Sequence, residues 1–176
     1  ASEQLSIARL EFTQEPPELR VQRLNAIDFE ALNQTERAET LRLKAEALRQ
    51  LNLSIAALRV EAERIIYLDP ADARTEISRV LQSIEALPPL IRGDLASGTD
   101  TLAGFASAWI MQDAPDAETT ARWLRRFSEH PLLTSQLARF GFLREVTPPD
   151  TFHITVLFPL SGELANAGRA IRDRLL

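Results

Sequence analysis

The sequence has no cysteine, two histidines (His130 and His153), one methionine, one tyrosine, and Lys44 as the only lysine among 20 basic residues. Without cysteine there is no disulfide and no thiolate-held metal. With two histidines, each lacking a neighbour at metal-ligand or triad spacing, zinc and Ser-His-Asp chemistry have almost nothing to build on. No apolar run approaches the roughly 18 residues a bilayer-spanning helix needs. Ala1-Ser2-Glu3-Gln4 has neither the basic start nor the apolar stretch of an export signal, as expected also of a chain from which such a signal had been cleaved. Clustered basic charge is missing too. The net charge is −5 and the pI about 5.2, which excludes nucleic acid as the expected partner, since phosphate neutralisation needs grouped Lys and Arg.

What is present is a real core fraction, 45% hydrophobic against 26% charged, in a chain of 176 residues with room for one ordinary domain and part of a second. From Glu3 to Arg144 the apolar pattern is helical. Ile7 and Leu10 open a short segment that Pro16-Pro17 ends, and Leu24 and Ile27 continue in a second. Asn33 and Thr35 offer capping oxygens to a stripe of Leu41, Ala45, Leu48 and Leu51. After a tight break at Asn52, Ile55, Leu58, Ala62 and Ile65 repeat that spacing up to Leu68-Asp69-Pro70. Two such stripes joined by a short turn pack antiparallel, because neither buries its face alone. Ile77, Val80, Leu81, Ile84 and Leu87 form the next stripe, ending at Pro88-Pro89. Leu102, Phe105, Ala106, Trp109 and Ile110 follow, then Ala121, Trp123, Leu124 and Phe127 behind an Asp116 cap, closed by His130-Pro131. Leu133, Leu137 and Phe140 predict a last short helix before Gly141.

The pattern therefore predicts an all-α domain over residues 1–147. Roughly eight or nine helices stack as antiparallel hairpins in the manner of tetratricopeptide solenoids. The segment from Glu39 to Pro70 has one repeat's length and its closing proline, but Glu46 and Leu58 stand where that signature wants Gly and a small residue.

The grammar changes after Pro148-Pro149-Asp150. Phe152 to Phe158 is β-branched and aromatic, as in a strand buried on both faces. Pro159-Leu160-Ser161-Gly162 then turns into a helix carrying Leu164, Ala167, Ile171 and Leu175, with Ser161 as its N-cap. One strand and one helix over residues 151–176 begin a parallel α/β domain and cannot complete it, since a lone parallel strand has no ladder partner. The expectation is a piece of a longer protein.

No carboxylates fall at a metal-ligating or acid/base spacing, and Glu61, Glu63 and Glu76 read as solvated helix faces. His130, before a proline at a helix end, reads as a partner of the helix dipole. Neither catalytic residue, metal nor cofactor is expected. Trp109 and Trp123 lie on apolar stripes, which favours core packing; the other reading is that they anchor a partner in a groove, making them candidate contact residues.

Residues 154–175 resemble the penicillin-binding-protein activator family of LpoA-type outer-membrane lipoproteins. In that family a hydrophobic strand runs into Leu-Pro-Leu-Ser-Gly, followed by a Leu-Ala-x-Ala-Gly helix ending Ile-Arg-Asp-Gly. Here Phe158 to Gly162, Leu164 to Gly168 and Ile171-Arg172-Asp173 carry the pattern, with Arg174 in place of the last glycine. Arg42 to Leu48, Leu68-Asp69-Pro70, and Trp123 running to His130-Pro131 resemble elements of the family's helical N-terminal domain. The resemblance implies tetratricopeptide-like helices followed by the start of a type I periplasmic-binding-protein-like domain. It implies a periplasmic protein, held at the outer membrane by an N-terminal lipid outside this chain, that binds and activates a class A penicillin-binding protein. Peptidoglycan is a second expected contact, and no enzymatic activity is implied. Ser161 and Gly162 would border that domain's cleft, where a helix N-terminus can meet an anionic ligand; a plain cap is the simpler role. A small-solute receptor and a general helical interaction scaffold are the alternative functions.

Overall fold

A computed structural model of the chain describes residues 1–145; the strand, the helix, Ser161 and Gly162 expected over 151–176 lie outside the described residues. Among the described residues every regular element is helical. The α-helices are α1 (Ser2–Glu11), α2 (Pro17–Asn25), α3 (Gln34–Gln50), α4 (Ser54–Arg64), α5 (Pro70–Glu85), α6 (Pro89–Ser97), α7 (Thr101–Met111), α8 (Ala117–Arg126) and α9 (Phe142–Glu145). Single 3-10 turns lie at Phe29–Ala31, Ile65–Tyr67, Pro131–Leu133 and Ala138–Phe140.

Side-chain chemistry at the helix ends explains the punctuation. The Asn33 carboxamide accepts from Glu36 N–H at 3.0 Å while the Glu36 carboxylate accepts from Asn33 N–H at 3.0 Å, a reciprocal capping box that starts α3. Asn52 stops it. With φ of 60° it takes the left-handed conformation, Leu53 N–H donates to Leu48 C=O and Asn52 N–H to Arg49 C=O, which together satisfy the last carbonyls. Asp69, Asp100 and Asp116 cap α5, α7 and α8, each accepting backbone N–H groups of the first turn. Prolines occupy the first position of α2, α5 and α6, where the missing N–H costs nothing.

Helix α3 is buried on two faces. Leu43 and Ala47 pack with Leu5, Ala8, Phe12, Leu24, Ile27 and Leu32 from the N-terminal segment. Leu41, Ala45 and Leu48 pack with Ala57 and Val60 of α4. Leu58 and Ala62 of α4, with Ile65 of the 3-10 turn that follows, join Ile77, Val80, Leu81 and Ile84 of α5 and most of α7 in the largest cluster. The α3–α4 and α6–α7 hairpins have the most extensive helix contacts, and α5 packs on α4 and α7.

Three local expectations change. Helix α1 buries Leu5 and Ala8 against α2 and α3, which leaves Ile7 at 41% and Leu10 at 78% exposure. Ile110 is likewise exposed at the end of α7. The short helix expected from Leu133 to Phe140 is two 3-10 turns. Gln136, at φ of 54°, breaks the ladder between them, while Ser135 Oγ donates to Leu132 C=O at 2.8 Å and so competes with helical pairing. Leu132 and Phe140 still reach the core.

Candidate functional site

Helix α7 carries a run of small residues, Ala103, Gly104, Ala106 and Ala108, that lets its neighbours approach closely. Trp123 of α8 lies against it, with its indole N–H directed at Gly104 C=O (3.1 Å) and Ser107 Oγ (2.9 Å). At 3% exposure Trp123 is a hydrogen-bonded core residue and offers no face to a partner. Trp109 points elsewhere on the same helix. It is half-buried, Arg92 lies 4.4 Å over its ring, and its Nε1 has no hydrogen-bond partner among the described residues. The structure therefore separates the two tryptophans, and only Trp109 keeps an accessible surface.

His130 is enclosed by Phe105, Trp123 and Phe127, with ring centroids 4.4, 5.2 and 5.9 Å away. Its Nε2 lies 2.9 Å from Thr101 C=O, and Nδ1 accepts from Leu132 N–H at 3.2 Å. A carbonyl can only accept, so Nε2 bears the proton and the ring is neutral. Burial pushes its pKa down to about 4, against a smaller upward pull from Thr101. The dipole reading, which needs a charged imidazole, is thus corrected: His130 joins α7 to the segment after α8 as a neutral, doubly hydrogen-bonded ring.

Glu76 also departs from its expected place on a solvated face. It is 6% exposed, and its carboxylate accepts from Arg64 at 3.1 Å and Arg79 at 3.0 Å. Glu61 is half-buried and paired with Arg49; Glu63 is exposed as expected. Glu61 and Glu76, with their arginine partners, line a groove of about 520 Å³ between α3 and α5, floored by α4. Four arginines (Arg42, Arg49, Arg64, Arg79) and two carboxylates (Glu61, Glu76) face it, beside Ala45 and Val80. Glu39 and Glu46 hold Arg42 from outside the lining, and Arg42 with burial's opposing effect leaves the Glu39 carboxyl below the usual range. Periodicity ranks these arginines as polar positions and is silent about three helices turning them inward together.

A second hollow, about 350 Å³, lies where Ile65, Ile66, Pro70 and Ile77 meet Pro131 and Ser135. Among the described residues no group of three or more His, Asp or Glu side chains could hold a metal ion, and no helix is long and apolar enough to cross a membrane.

Among the described residues the fold is an all-helical stack of hairpins with a polar groove between α3 and α5. The chain matches no family model, no curated protein and no solved structure.

Proposed function

We propose that this chain belongs to a non-enzymatic regulator of peptidoglycan synthesis that binds and activates a class A penicillin-binding protein. The observation that carries the reading is the sequence Pro159-Leu160-Ser161-Gly162 with its following Ala167-Gly168 and Ile171-Arg172-Asp173, which resembles the LpoA-type activators. The described helices support it in two ways. They pair as hairpins, consistent with a tetratricopeptide-like arm, and the buried Glu76, Trp123 and His130 are engaged with neighbouring side chains or backbone instead of being grouped for chemistry. On this reading the protein works in the periplasm, tethered to the outer membrane by a lipid, with peptidoglycan as a second contact.

The test is titration of the full-length protein against the periplasmic region of a class A penicillin-binding protein, with polymerisation of lipid-linked precursor as readout. Saturable binding with faster polymerisation is expected. Absence of both would refute the assignment.

A further inference from the structure

We infer that His130 is an acid-sensitive latch: protonation of its ring releases the segment from His130 to Arg144 and uncovers the aromatic surface of α7 and α8 beneath it. The device goes beyond the regulator reading and needs no partner to act.

Connectivity is the first ground. Backbone hydrogen bonds inside the segment close only short turns, from Thr134 N–H to Pro131 C=O, Ser135 to Leu132, Phe140 to Leu137 and Arg144 to Gly141. The side chains of Thr134, Ser135 and Arg144 also bond inside it, to the Pro131, Leu132 and Leu137 carbonyls. His130 N–H closes a turn onto Phe127 C=O. Beyond that turn, the one hydrogen bond among the described residues from the segment to the rest of the chain is His130 Nε2–H to Thr101 C=O, at 2.9 Å. The remaining hold is apolar, through Leu132, Phe140 and Leu143. A segment tied so sparsely opens at lower free energy than the whole fold.

The ring's chemistry is the second ground. Nε2 bears the proton and Nδ1 accepts from Leu132 N–H at 3.2 Å, so both nitrogens are committed. A second proton goes to Nδ1, which then faces Leu132 N–H donor to donor. The segment's first turn loses its acceptor, and a cation is left among Phe105, Trp123 and Phe127.

Surrounding charge offers that cation no partner. Asp100, Glu129 and Arg126 border a shallow hollow of about 280 Å³ with the ring. Asp100 is spent on Ala103 N–H and Arg59, Glu129 is exposed, and Arg126 is a like charge held on the Ser97 and Gly98 carbonyls. Arg74 of α5 lies in the hollow beyond Pro131, and Arg139 and Arg144 lie over the Phe140 ring and on Leu137 C=O. Burial therefore holds the ring's pKa at about 4, and release returns it toward the ordinary 6.5.

The test is amide hydrogen exchange of the whole chain between about pH 7 and about pH 5, with rates corrected for intrinsic pH dependence. Amides of Leu132, Ser135, Phe140 and Arg144 should be at least about ten-fold less protected than mid-helix amides of α3 and α5, the mark of an opening short of unfolding. Their protection should fall about 20-fold across that range, because the open segment takes up a proton that the closed one refuses. His130→Gln should remove the fall. His153→Gln and Glu129→Gln should each leave it in place, and both are informative if His130→Gln fails to fold. Protection equal to that of α3 and α5 would overturn the inference. So would a fall of less than about three-fold, or one abolished by His153→Gln or Glu129→Gln.

Discussion

The His130 ring lies so close to Gly104 that a Cβ built on this glycine would come within 2.4 Å of Cδ2 and 2.5 Å of Nε2. The glycine is in mid-helix, where its flexibility ordinarily costs about 1 kcal/mol relative to alanine. Here the missing side chain makes room for the imidazole that links Thr101 to Leu132.

Gly104→Ala should therefore destabilise, against the helix-propensity trend. The added methyl meets a ring fixed by two hydrogen bonds and three aromatic neighbours, so it cannot swing aside. Overpacking of this kind costs about 1–3 kcal/mol. Chemical denaturation should show a lower midpoint; a midpoint at or above that of the parent would refute the account.

Stability should fall as pH falls from about 6.5 to about 4. The buried ring's pKa lies at about 4 against an ordinary 6.5, so across that window the unfolded chain takes up a proton that the folded chain refuses. Stability is full above the window, declines through it, and loses nothing more from this group below it. The loss is on the order of 3 kcal/mol. Urea titrations at several pH values should show His130→Gln less stable than the parent at neutral pH and with a shallower slope. An unchanged slope would contradict the burial of a neutral imidazole.

Replacing Glu76 by Gln should cost about 2 kcal/mol or more, because Arg64 is then left partly buried without its counter-charge. Arg79→Ala should cost less than about 1 kcal/mol, since that side chain is mostly in solvent. Thermal melts of both variants check the ranking, and equal losses would disprove the asymmetry.

Asn52 separates cap chemistry from backbone conformation. At φ of 60°, glycine is free of strain and alanine is not. Asn52→Ala should lower stability by about 1 kcal/mol while Asn52→Gly stays near the parent or above it. Hydrogen exchange at Leu53 N–H, bonded to Leu48 C=O, should quicken in the alanine variant alone.

Helix starts and stops were legible in the sequence because they are local. Asn33 and Asp116 act within a turn of themselves, and prolines act through their own rings. The Leu41-Ala45-Leu48 and Ile77-Leu81-Ile84 stripes were legible for the same reason, one period on one helix. What a helix meets on its far side was not. Leu43 and Ala47 form a second buried face of α3 only because α1 and α2 fold back onto it, and Ile7 is exposed because nothing does so there.

Sequence alone determined the all-helical character of the described residues and a resemblance carried by residues 154–175. Tertiary structure decided which polar residues matter. Glu76 looks like any solvated carboxylate until α4 and α5 pack and bury it between Arg64 and Arg79. His130 looks like a helix-end cation until Phe105, Trp123 and Phe127 remove it from water. Both outcomes depend on desolvation and on partners distant in the chain, and desolvation exists only once the helices have packed.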